Sequence, residues 1–332
     1  MSSKRSGKAK IWFIIAGIIT AGIVVFTIFF NGNGLYFTFG MPSETALRAD
    51  GEAASVMAAK ILLVDEKTKL LDVSDDKILP ASVNGETVED YIKNNVKSRL
   101  SRVAALNAMA KKKGVVLSHV QKEEVENAAS VYYQGLSDEQ RGSLEVSKDK
   151  LSDMFRQFKV AEEMKNYILS DDSVEVSTDE ARVISILYIC NESEEEARKA
   201  LDELKSGTPF YDVAAKYNSD ESYTAELKRG DTEKSFENVA FNLKSGELSD
   251  VVSSEGRFYI IKCSSDNEQS KTDANKEYLL AKKRNEEFER LFLPYENSTY
   301  IELNGSQWEK MNVNDIPEAD VLFDDIYRQY IN

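Results

Sequence analysis

Apolar and polar positions follow two different periods along this chain. From about 43 to 170 the apolar residues recur at helical spacing, as in "SVMAAKILLV" at 55–64. Thr87 is placed to cap a long helix whose buried face would be Ile92, Val96, Leu100, Val103 and Leu106. "SHVQ" at 118–121 has the form of a capping box, in which Ser118 and Gln121 satisfy each other's free amides, and "SDEQ" at 137–140 repeats it. Ser147 opens a further helix with Leu151, Met154, Phe155, Phe158, Ala161 and Ile168 on one face. The pattern predicts an α-helical domain over 43–178.

The period changes at about 180. "RVISILYIC" (182–190) and "GRFYIIKC" (256–263) are short, β-branched and aromatic, and read as strands. Between them Ser193 and Glu196 suit a helix start, Ala197, Ala200, Leu201 and Leu204 form its stripe, and Gly207 its C-terminal cap. Thr208 caps a second helix with Pro209 at its first position. The polar stretch "NSDESYTAELKRGDTEK" reads as a loop, "SFENVAFNL" as a helix and "GELSDVV" as a turn plus strand. The predicted order is β-α-α-loop-α-β-β over 180–265, an α+β domain with a small antiparallel sheet. A helix at about 272–293, with Leu279, Leu280, Phe288, Leu291 and Phe292, is expected to return to the helical domain, making 266–300 a docking segment. The remainder, 301–332, is acidic. "STYIEL" at 298–303 suggests a short strand, and Val321, Leu322, Ile326 and Tyr330 suggest an amphipathic helix, with disorder as the alternative.

The N-terminal segment changes the picture. Residues 11–30, "IWFIIAGIITAGIVVFTIFF", are uncharged and long enough to span a bilayer. Lys4, Arg5, Lys8 and Lys10 precede the run, and the next basic residue is Arg48, so 1–10 is expected in the cytosol and the bulk of the chain outside the cytoplasmic membrane. The run ends "FFNGNG", without the small-residue site of a cleaved signal peptide, and residues 31–42 read as a linker. The net charge of −15 excludes a nucleic-acid partner, which needs a basic face.

Candidate chemistry is sparse. The single histidine, His119, falls in the first turn of a predicted helix, which argues against histidine triads and histidine metal sites. No phosphate loop or calcium loop is present, and neither a metal nor another cofactor is implied. Cys190 and Cys263 sit at the ends of the two strands; pairing these antiparallel with Ser185 near Tyr259 separates the cysteines, so two free thiols of low reactivity are expected.

The stretches "ISILYI", "EEEARKALDELKSGTPFYDVAAKYNSD", "GD" at 230–231, "FENVAFNLKSGELSDVV" and "GRFYIIKC" together resemble the parvulin-type peptidyl-prolyl isomerase domain. Its most specific piece covers Phe236, Ala240, Phe241, Leu243, Lys244, Gly246, Glu247, Leu248 and Ser249. The layout of anchor, helical domain, parvulin unit and returning helix is similar to PrsA-type and SurA-type extracytoplasmic foldases. The resemblance implies unfolded or newly exported polypeptides as partners. It implies catalytic positions at Ser185, Asp220 and Tyr259, with Ser185 and Tyr259 standing where the family carries histidines. It further implies substrate-binding positions at Phe236, which would grip the proline ring, Phe241 and Leu243. Between Asp231 and Phe236 the chain is shorter than the family pattern, losing part of the pocket lining. A membrane-anchored folding factor is one expectation; a catalytically inactive scaffold dedicated to one partner is the other.

Overall fold

The computed structural model describes residues 36–37, 40–71, 82–83, 85–170 and 174–331. The expected membrane span at 11–30 lies outside these residues; among them no helix is long and apolar enough to cross a bilayer. The chain divides into two compact units, residues 1–171 with 288–332, and residues 172–287.

The first unit begins with strands rather than helix, which corrects the helical expectation from 43 onward. After the short strand β1 (Tyr36–Phe37), β2 (Thr45–Ala49) and β3 (Glu52–Ser55) form a hairpin. Asp50 and Gly51 both have positive φ, 48° and 89°, the conformation that a two-residue hairpin turn requires and that Asp-Gly tolerates. Helix α1 (Val56–Leu71) is buried on nearly every side and forms the centre of the unit. A two-stranded hairpin, β4 (Ser82–Val83) with β5 (Glu86–Thr87), leads into α2 (Val88–Lys113), capped by Thr87. Helices α3 (His119–Gly135) and α4 (Asp138–Ser143) open with complete capping boxes at Ser118 and Ser137. Ser147 caps α5 (Lys148–Ile168).

The second unit opens with the short helix α6 (Thr178–Ala181) and continues through β6 (Val183–Asn191), α7 (Glu194–Lys205) and α8 (Phe210–Tyr217). Pro209, rather than Thr208, occupies the cap position of α8, without a side-chain cap bond. The expected polar loop contains a strand, β7 (Thr224–Lys228), followed by α9 (Lys234–Asn242), β8 (Val252–Ser254) and β9 (Arg257–Ser265). The sheet order is β7-β6-β9-β8, antiparallel throughout. Strand alternation divides its contacts between two faces. Ile184, Ile186, Leu227 and Ile261 pack with Phe236, Ala240 and Phe241 of α9. Ile189 and Ile260 pack with Ala200, Leu201, Phe210 and Val213 of α7 and α8.

Helix α10 (Gln269–Ser298) supplies residues to both units. The chain then closes the first unit. Strand β10 (Ile301–Leu303) lies between β1 and β2 in the order β1-β10-β2-β3, and α11 (Gly305–Lys310) carries the buried Trp308, whose indole donates to the Ala46 carbonyl at 3.0 Å. The acidic end is ordered: α12 (Phe323–Tyr330) buries Phe323 against Phe155 and Phe158, at ring-centroid distances of 4.7 and 4.8 Å. Asp65 of α1 caps it from across the core, accepting from the amides of Phe323 at 3.0 Å and Asp324 at 2.8 Å.

Candidate functional site

The face of the second unit covered by α9 is left open at one end, where a cleft of about 420 Å³ is lined by Ile186, Tyr188, Asp220, Ala225, Leu227, Asp231, Thr232, Glu233, Phe236, Ser254, Glu255 and Tyr259. Its floor follows from alternation on two strands. Even-numbered residues of β6 and odd-numbered residues of β7 and β9 share this side, which brings together Ile186, Tyr188, Ala225, Leu227 and Tyr259. Phe236, on the first turn of α9, closes the apolar wall; its ring meets that of Tyr259 at 5.1 Å and 85°, an edge-to-face contact.

The polar part of the cleft is a small network. Tyr259 stands directly across the strand pair from Cys190. Burial, then the neighbouring Cys190 thiol, pushes the tyrosine up to about 12. Burial likewise raises the thiol of Cys190 and the hydroxyl of Tyr188. Arg257 donates to Asp220 at 2.8 Å, closing the far side. Asp220 lies in the turn before β7 and caps no helix. Glu233 accepts from the Ser235 hydroxyl and from the Ser235 amide, contacts that lower its pKa and fix the start of α9 beside the cleft. Asp231, Glu233 and Glu255 make the rim acidic.

The expected pairing of Ser185 with Tyr259 is corrected. Ser185 is opposite Ser265, and its hydroxyl donates to Glu268 at 2.7 Å, away from the cleft. It has the wrong parity on β6, and an irregularity in pairing separates it from Ile186. The β6 residue that enters the cleft beside Tyr259 is Tyr188, which sequence reasoning missed. The shared parity of Ile186 and Tyr188 was the available signal. Of the expected substrate-binding residues, Phe236 lines the cleft and Phe241 and Leu243 do not. Phe241 is in the core beneath α9, with the guanidinium groups of Arg229 and Arg182 over its ring at 4.2 and 5.3 Å. Leu243 packs at the end of α9 on the same core. Both cysteines are buried free thiols. Among the described residues no cluster of His, Cys, Asp and Glu could hold a metal ion.

Residues 186–265 match the rotamase family model, described as a PPIC-type PPIASE domain. A curated relative, "Foldase protein PrsA" of Halalkalibacterium halodurans, is 31% identical over 103 residues, 28% of this chain and 31% of the relative, so the match spans about a third of that protein's length. Among solved structures, peptidylprolyl isomerase PrsA from Bacillus cereus is 17% identical, with 76% of this chain and 98% of that one covered at a TM-score of 0.37. PrsA from Bacillus subtilis is 20% identical, with 75% and 95% covered at a TM-score of 0.26.

Proposed function

We propose, for a chain that carries a parvulin-type rotamase domain at 186–265, that it is an extracytoplasmic folding factor tethered to the membrane by residues 11–30. Its cleft takes proline-containing stretches of unfolded, newly exported polypeptides. The supporting observation is the aromatic corner of Phe236 and Tyr259 over Ile186 and Leu227: an apolar seat for a pyrrolidine ring beside a few oriented polar groups.

Prolyl isomerisation breaks no covalent bond. The barrier of about 18–20 kcal/mol is lost amide resonance, and it falls when the ring is held while the peptide carbonyl twists in a poorly solvated place. Phe236 and the strand floor hold the ring. The Tyr188 and Tyr259 hydroxyls, kept protonated, can donate to the prolyl nitrogen, whose lone pair is localised only in the twisted state. Arg257, neutralised by Asp220, supplies a local field without a free charge. No step needs proton transfer.

The second reading, an inactive scaffold that binds one partner, draws support from the absence of histidine from the second unit, the single histidine being His119 of the first. The full chain in detergent micelles should accelerate cis–trans exchange of a proline tetrapeptide and slow aggregation of an unrelated denatured client. Peptide binding with no acceleration and no client protection would favour the scaffold; absence of all three would overturn both readings.

A further inference from the structure

The first unit carries a second surface, at the turn between α2 and α3. Gly114, with φ of 74°, ends α2, and Leu117 is buried, but Val116 and Val120 turn outward with 78% and 62% of their surfaces exposed. They are the two most exposed large aliphatic residues among those described. Lys111, Lys112 and Lys113 form the last turn of α2 beside them. Two apolar tips beside a lysine-rich helix end match the arrangement that sits at a lipid–water boundary.

The position of this turn relative to the chain's entry into the fold identifies what covers it. Lys112 bonds Asp50 at 2.9 Å and the Tyr295 hydroxyl at 3.4 Å, and Lys111 bonds Glu52 at 2.9 Å, fixing the end of α2 to the β2–β3 turn. Asp50 in turn bonds the Tyr300 carbonyl through its own amide at 3.1 Å, just before β10. Strand β1 runs parallel to β10, with Tyr36 beside Glu302. The polypeptide therefore enters the sheet at the same end as Asp50, Tyr300 and the lysine turn. Only residues 31–35 lie between Tyr36 and the apolar run, a reach of about 20 Å even when fully extended.

We infer that the α2–α3 turn is a second membrane contact: Val116 and Val120 dip into the outer surface of the bilayer that holds residues 11–30, an inference that rests on the proposed anchor. Two valines alone would bind lipid weakly. The short tether makes the encounter intramolecular, at millimolar effective concentration or more, so a weak contact suffices. Of the acidic groups beside the turn, Asp50 and Glu52 are paired with Lys112 and Lys111, while Glu123, 3.4 Å from His119, stays exposed.

The test uses the full chain in phosphatidylcholine vesicles containing a quarter phosphatidylglycerol. Both native cysteines are buried, so a nitroxide maleimide added to the folded protein reaches Val116→Cys or, as a control in the same unit, Asp138→Cys. The Asp138 side chain is 99% exposed. The expected result is a several-fold higher ratio of oxygen to nickel-chelate collision at 116 than at 138, reduced to the control value by Val120→Asp. Equal ratios at the two positions, in protein that resists alkaline extraction from the vesicles, overturn the contact and leave the anchor standing. A label at 116 shielded from both oxygen and nickel means a protein partner or second copy covers the turn, and also overturns it. Extraction of the chain by alkali overturns the anchor, and the contact falls with it.

Discussion

Tyr259 and Cys190 form a directly opposed cross-strand pair, and the tyrosine ring meets that of Phe236 edge to face. The tyrosine ring is thus held in place between the sheet and α9. Tyr259→Phe removes one donor and keeps the ring contact, so turnover on a proline peptide should drop by about tenfold or less, the value of one hydrogen bond of about 1.4 kcal/mol. Ser185→Ala should leave turnover unchanged and lower unit stability only slightly, because the lost bond goes to Glu268, which solvent still reaches. Peptide kinetics and urea melts of the two variants check this; a larger turnover loss in Ser185→Ala would place the chemistry elsewhere.

Phe236 is 7% exposed, so it serves core and cleft together. Phe236→Ala should cost about 3–5 kcal/mol, whereas Phe236→Leu should retain most of the stability and still weaken proline-peptide binding. Calorimetric titration of the leucine variant separates the two roles: unaltered affinity would mark the ring as packing only.

The pH profile follows from the groups present. Tyr259 is held at about 12 and the Cys190 thiol is raised by burial, so neither changes charge in the neutral range. Isomerisation should be flat between about pH 6 and 9, in contrast to a site with histidine near its ordinary value of about 6.5. A bell-shaped rate profile centred near neutrality would contradict the proposed use of these hydroxyls.

The acidic rim of Asp231, Glu233 and Glu255 should favour clients with lysine or arginine beside the proline. Such peptides should bind more tightly than their glutamate counterparts, by a margin that shrinks between about 0.02 and 0.5 M salt as the Debye length falls below about 5 Å. Fluorescence anisotropy at two salt concentrations measures it, and no difference at low salt would remove the rim from recognition.

Two carboxylates in the first unit respond to pH in opposite directions. Burial opposes the ionisation of Asp324, but hydrogen bonds and charge from Arg99 and Lys69 outweigh it and hold the carboxyl at about 2. Its folded value is below the unfolded one, so its contribution, about 2 kcal/mol, is present above about pH 4 and lost as pH falls toward 2. Asp65, raised to about 7 by burial, contributes in the other sense: stability is complete below about pH 4 and declines as pH rises through 7. Urea unfolding followed by the buried Trp308 should show Asp324→Asn losing the acid limb and Asp65→Asn flattening the slope between about pH 4 and 7.

The legible parts of this chain are the local ones. Thr87, Ser118, Ser137, Ser147 and Ser193 are found as helix caps because each bond closes over three residues and depends on nothing distant. Strands β2 and β7 were not legible: β2 is paired by β10 some 250 residues away, and β7 is an edge strand with an outward polar face. The Asp50-Gly51 turn was the one local sign of the first hairpin. Tyr259, Asp220 and Phe236 line the cleft, and their roles there are part of the proposal. Tyr188 was missed because choosing between it and Ser185 depends on which face of β6 meets α9, a fact of pairing register rather than of composition.

Strand β10 and helix α12 also order events in time. The first unit lacks β10, which lies between β1 and β2, until residues 301–303 have been made, and lacks Phe323 against Phe155 until residue 323 has been made. The second unit is continuous in sequence, residues 172–287, and has all its strands well before that. During synthesis the second unit should therefore mature first, while the β2 edge and the α5 aromatic face of the first unit wait unprotected. Until then the first unit is itself an incompletely folded polypeptide of the kind the protein is proposed to protect.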